Sequence, residues 1–112
     1  MIITVPDELQ AELAILRIIQ KSVWAKYPEI PIKLEQEAKS DGALVGAYLC
    51  TYGKHWHCEI RVGGQMIEIQ SRYGHRPEHC ETNISITDPD SIDQTADAIN
   101  GIMSFRLKSN AL

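Results

Sequence analysis

The sequence predicts an α+β fold: a four-stranded antiparallel sheet flanked by an N-terminal and a C-terminal helix, in the order α-β-β-β-β-α, with both helices packed on one face of the sheet. Three observations carry this expectation. Apolar residues recur at helical spacing near both ends of the chain. Between them, the stretch from Leu44 to Gln70 alternates apolar and polar side chains with period two. Two Gly-containing turns, Tyr52-Gly53-Lys54-His55 and Val62-Gly63-Gly64-Gln65, cut that stretch into three strands.

The first helix is expected over residues 6–27. Pro6 and Asp7 suit a first turn, Pro because it lacks the donor a helix start leaves unused and Asp because the helix N-terminus is positive. Leu9, Leu13, Leu16, Ile19, Val23, Trp24 and Tyr27 form its apolar stripe, and Pro28 ends it. Ile15 and Ile18 widen the stripe, so this helix is expected to touch more than the sheet. Residues 28–42 read as a connector, held extended by Pro28 and Pro31, with a short charged helical turn over 34–39 and a stop at Asp41-Gly42.

The strands are expected at about 44–52, 55–62, 65–71 and 82–87. With both turns tight, Cys58 lies opposite Leu49 on one side and Ile69 on the other. One face then collects Val45, Ala47, Leu49, Thr51, Trp56, Cys58, Ile60, Val62, Ile67 and Ile69, almost all apolar. On the opposite face, Cys50 opposes His57, Tyr48 opposes Glu59, Tyr52 opposes His55, Arg61 opposes Met66, His57 opposes Gln70, and Glu59 opposes Glu68. Opposed carboxylates disfavour pairing by a few tenths to about 1 kcal/mol, which calls for Arg61 on the diagonal, a cation or a basic partner group unless both are simply solvated. A loop over residues 72–81 leads to the fourth strand. The last helix is expected over 89–108, capped by Asp88, entered at Pro89, and striped by Ile92, Ala96, Ile99, Ile102 and Met103.

At 112 residues, with 44% hydrophobic and 23% charged content, one domain with a real core is expected. A net charge of −4 argues against non-specific nucleic-acid binding, which needs a basic footprint. The helix-strand-helix order is similar to that of double-stranded RNA-binding domains, but those put lysines where this chain has Asp88, Asp90 and Asp93. An odd count of 3 cysteines excludes a full disulfide framework, and no leader or membrane-spanning run is visible, so a cytoplasmic protein, cellular or virus-encoded, is expected.

All histidines and cysteines fall between Cys50 and Cys80, which raises a Zn site from Cys50, His57, His75, His79 and Cys80, although no C-x-x-C spacing supports it. Cys50 beside His57 has the elements of a thiolate nucleophile, but an open sheet face offers no evident oxyanion hole. Arg72, His75, Arg76 and His79 around Gly74 suit an anion or simply a solvated loop. The reading preferred is a non-catalytic, cofactor-free protein-binding module (adaptor, inhibitor or chaperone-like regulator) using Tyr48, Tyr52, His57, Glu59, Arg61, Met66, Glu68 and Arg72 on the open face. Tyr and Arg are the residues enriched at interface hot spots. The same face is a candidate for pairing two copies as a homodimer.

Overall fold

The computed structural model describes residues 7–52, 56–73 and 79–111, with backbone alone for residues 8, 52, 56, 72, 73, 79, 80 and 105–111. Its elements are α1 (Asp7–Lys26), β1 (Lys33–Ala38), β2 (Leu44–Tyr52), β3 (Trp56–Gly63), β4 (Met66–Tyr73), β5 (His79–Ser85) and α2 (Ser91–Ala111). The strands form one antiparallel meander in the order β1-β2-β3-β4-β5. The α+β class and the antiparallel sheet between two helices are therefore as the sequence indicates, but the strands number five.

The additional strand is β1, within the segment read as a connector with a helical turn. Its alternation is concealed because it is an edge strand: Leu34 points inward beside Leu49, whereas Lys33, Glu35 and Glu37 point outward and the inward Gln36 is exposed. Leu34 is the one large apolar residue of the six, and one such residue carries no visible period. The bounds of the last strand also move. Residues 79–85 pair with β4, whereas Ile86 and Thr87 lie in the following turn, so both strands extend into the stretch read as a ten-residue loop. Pro6, Gly53 to His55 and Gly74 to Pro77 lie outside the described residues, as does His75 of the candidate metal set.

Both expected registers are displaced by two residues. Cys58 lies opposite Thr51 and Ser71, not Leu49 and Ile69, which face Ile60 from either side. The reason at the β3–β4 end is the turn: Gly63 pairs with Met66, and the two-residue loop is Gly64-Gln65, with Gly64 at φ 60°. Gln65 is not in the positive-φ region, so the turn has the type II′ pattern, with Gly at its first central position. A displacement of two preserves which side each residue faces, so the apolar face survives. Val45 is the exception. Glu37 pairs with Gly46 and Ala38 with Leu44, so Val45 is the extra residue of a bulge and is 54% exposed.

The core fills the space between that face and the two helices. Leu9, Leu13, Leu16, Ile19 and Val23 of α1 and Ala96, Ile99 and Met103 of α2 meet Ala47, Leu49, Cys58, Ile60, Val62, Ile67, Ile69 and Ile84. Burial pushes the Cys58 thiol up to about 12, with a small addition from Glu59. Thr51 donates its hydroxyl to Met103 Sδ at 2.9 Å, a buried link between sheet and α2. Ser71 Oγ is buried without a hydrogen-bond partner among the described residues. Ile15 packs at the margin of the core, but Ile18 and Trp24, read as part of the stripe, are 53% and 49% exposed.

The helices also hold each other. Asp97 of α2 accepts from Tyr27 Oη at 2.7 Å and from Lys26 Nζ at 3.1 Å, and Asp93 lies 3.7 Å from Lys26. The hydrogen bond from Tyr27 and then that from Lys26 hold the Asp97 carboxyl below its ordinary range, and both donors are raised in turn. At the start of α2 the sequence reading is off by two positions. Asp88 Oδ1 accepts from the Asp90 backbone and Oδ2 from Gln94, bracing the turn before the helix, and Asp90 C=O accepts the first helical bond from Gln94 N–H. Among the described residues no helix is long and apolar enough to cross a membrane.

Candidate functional site

Side chains alternate along each strand, so the residues between the core positions share the outer face, opposite the face on which both helices pack. That face carries Lys33, Glu35 and Glu37 from β1, Tyr48 and Cys50 from β2, and His57, Glu59 and Arg61 from β3. From β4 come Met66, Glu68 and Gln70, and from β5 Glu81, Asn83 and Ser85. By the same parity Tyr52, Arg72 and His79 occupy outer-face positions, with backbone alone described. Every residue proposed from the sequence as partner-binding thus falls on one face.

Their neighbours differ from the sequence reading, because each pairing moves by two. Glu59 lies opposite Cys50 and Gln70, Glu68 opposite Arg61 and Asn83, His57 opposite Tyr52 and Arg72, and Tyr48 opposite Glu35. The expected conflict between Glu59 and Glu68 is therefore absent. Arg61 organises the centre of the face instead. Its Nε donates to Glu59 Oε2 at 2.9 Å, one terminal nitrogen donates to Glu37 Oε1 at 3.0 Å, and the guanidinium carbon lies 4.5 Å from the centre of the Tyr48 ring. A planar cation with separate donors meets both carboxylates and an aromatic face at once, which a lysine cannot do.

These contacts shift the groups they join. The hydrogen bond to Glu59, followed by that to Glu37, raises the Arg61 guanidinium above its already high value despite desolvation. Desolvation raises the Tyr48 phenol, and negative charge at Cys50, Glu59, Glu35 and Glu37 adds to it. Arg61 and Glu37 side chains stay 43% and 47% exposed, so the cluster is ordered yet reachable. Glu37 was invisible as a site residue because it lay in the segment read as a connector. It reaches Arg61 across β2 at Gly46, where an added Cβ would stand 3.5 Å from the Glu37 carboxylate.

Cys50 occupies the outer face but is only 2% exposed, and it is not opposite His57. The pair proposed as nucleophile and base is thus separated by one step of the ladder. Cys50 also contributes to the wall of a shallow pocket of about 330 Å³ at the sheet margin, where Trp24, Pro28, Ile30 and Pro31 supply apolar surface. For the candidate metal set, the side chains of His79 and Cys80 are outside the description, as is all of His75. Among the described residues no group of three or more His, Cys, Asp or Glu side chains is placed to hold a metal ion. Comparison with protein-family models, curated proteins and solved structures finds no match to this chain.

Proposed function

We propose that this protein is a non-catalytic recognition module, an adaptor, inhibitor or chaperone-like regulator, that binds another protein through its outer sheet face. The observation that carries the reading is the Arg61 cluster: a guanidinium held by Glu59 and Glu37 and stacked on Tyr48, partly exposed on the sheet face opposite the helices. Side chains already fixed in place lose little conformational freedom on binding, so more of their contact energy appears as affinity. Tyr and Arg at the centre of a patch are the residues that most often dominate such interfaces.

Charge indicates the kind of partner. Among the described side chains of this face, Glu35, Glu37, Glu59, Glu68 and Glu81 outnumber Lys33 and Arg61, and both cations are already engaged with face carboxylates. A partner presenting Lys or Arg beside an apolar patch complements this pattern and is steered toward it at low salt. The readings through Cys50 draw less support, because a nucleophile or ligand must be reachable.

The test is affinity capture from native-host lysate with immobilised wild type, Tyr48→Ala, Glu68→Lys, and Lys21→Glu on exposed α1 surface as a control, each checked for an unchanged circular dichroism spectrum. The expected result is a partner retained by the Lys21→Glu protein and weakened about tenfold or more, ~1.4 kcal/mol, by each face variant. Partners held equally by wild type and both face variants contradict the proposal.

A further inference from the structure

The two edges of the sheet are protected unequally, and the difference points to a second copy of this chain. β1 carries alternating outward charges, Lys33, Glu35 and Glu37, and is distorted by the bulge at Val45. Those are the devices by which proteins keep an edge from pairing. β5 has neither lysine, proline nor bulge: its seven residues pair without interruption with β4, from Ser85 opposite Met66 to His79 opposite Arg72. Glu81, Thr82 and Asn83 are all exposed.

The direction of the free backbone groups follows from one hydrogen bond. Ile86 N–H donates to Gln65 C=O at 2.8 Å, just beyond the ladder. Backbone groups alternate in direction along a strand, so those of Ile84, Thr82 and Cys80 also turn toward β4. The N–H and C=O groups of His79, Glu81 and Asn83, with the N–H of Ser85, turn away from β4 to an edge that no described strand pairs with, whereas Ser85 C=O accepts from Asp88 N–H at 3.3 Å. The same alternation on β1, counted from Lys39 N–H donating to Ala43 C=O at 2.9 Å, turns the groups of Leu34 and Gln36 outward.

We propose that β5 pairs antiparallel with β5 of a second copy across a two-fold axis at Thr82, joining two five-stranded sheets into one. This register uses all seven residues. It sets outward-directed Glu81 opposite Asn83 of the other copy, where free groups meet free groups, and His79 opposite Ser85, whose N–H is directed outward and whose C=O also accepts from Asp88 N–H. Glu81 meets an amide that can donate to it, Thr82 meets its own copy, a favourable cross-strand pair, and no like charges are opposed. A face-to-face pairing of outer faces, by contrast, sets an acid excess against itself. With the axis perpendicular to the sheet, both outer faces point the same way. The proposal stands whatever that face binds, and it predicts that the face is presented twice.

The test is sedimentation-equilibrium mass measurement of the full chain, 12.6 kDa as a monomer, with circular dichroism as the fold check. Wild type is expected at twice the chain mass. Asn83→Pro removes an outward donor without touching the β4–β5 ladder and is expected to be monomeric, whereas Gln36→Pro on β1 is expected to remain dimeric. Thr82→Lys and Thr82→Glu are each expected to be monomeric alone, because like charges then meet on the axis, and to form a heterodimer when mixed. A monomeric wild type at high micromolar concentration overturns the proposal. So does a dimer that survives Asn83→Pro, and a mixture of the two Thr82 variants that stays monomeric overturns the register.

Discussion

The two faces of the sheet are built from the same strands and obey different rules. Glu59 and Ile60 are adjacent in β3, yet Ile60 is fully buried against the helices while Glu59 lies in the Arg61 cluster at the surface. On the inner face, the apolar positions need little beyond being apolar and of the right size, with Thr51 and Ser71 as its buried polar residues. On the outer face, identity is the whole content: Arg61 stacks on Tyr48 and divides its donors between two carboxylates, an arrangement no other residue type reproduces. The inner face holds the core, and the outer face carries the ordered Arg61 cluster.

The contrast is most strained by truncating one neighbour at a time. Ile60→Ala is expected to destabilise the fold by roughly 2–5 kcal/mol, since the lost contacts leave a cavity between fixed walls. Glu59→Ala should cost no more than about 1 kcal/mol, as partly exposed ion pairs do. Urea unfolding of both proteins measures the ratio, and comparable losses would erase the distinction between the faces.

Cys58 sharpens the inner side. Its folded pKa of about 12 lies above the ordinary 9.0, so its stabilising contribution is complete below 9.0 and is lost as pH rises toward 12. The unfolded state ionises first and gains, at roughly 1.4 kcal/mol per pH unit. Thermal melts of wild type and Cys58→Ala from neutral pH to 11 are expected to show a steeper alkaline decline in wild type. Parallel declines would mean that this thiol is not buried as described. In the same protein, neither Cys50 nor Cys58 should react with a thiol reagent while folded, given exposures of 2% and 0%. Rapid alkylation of Cys50 at neutral pH would return the cysteine-enzyme reading to the front.

The smallest expected effect lies on the outer face. Arg61→Lys keeps the charge but loses the planar fork and most of the stacking, and should cost about 0.5–1 kcal/mol of stability while weakening partner binding disproportionately. Equal retention of both by the lysine would remove the argument for a geometric role.

How much of this was readable from the residues depends on parity. Which face a residue joins depends only on whether the displacement is even, so Ile60, Ile67, Tyr48, Arg61 and Glu68 all appeared on their observed sides although both registers were wrong by two. Register requires knowing where each strand stops. Gly63 and Gly64 both tolerate the turn, and nothing local selects Gly64-Gln65 over Gly63-Gly64. β1 was hidden because this edge strand buries no residue fully and sets only Leu34 partly against the core, and with it went Glu37, half of the Arg61 clamp. Val45 was misplaced because a bulge leaves no mark in an apolar pattern, and Cys50 lies beside Trp24, Pro28, Ile30 and Pro31, residues distant in sequence that local alternation cannot supply.

The chain has a second acidic region, which makes the central claim testable. Asp90, Asp93 and Asp97 are exposed on and before α2, away from the outer face. The most direct measurement is titration of isotope-labelled protein with a short lysine-rich peptide, followed amide by amide by NMR at low and high salt. The account predicts shifts concentrated at Glu35, Glu37, Tyr48, Glu59, Arg61 and Glu68 that fade as salt shortens the screening length from about 10 Å at 0.1 M to about 3 Å at 1 M. Shifts that centre on α2, or that divide evenly between the two acidic regions, would contradict it.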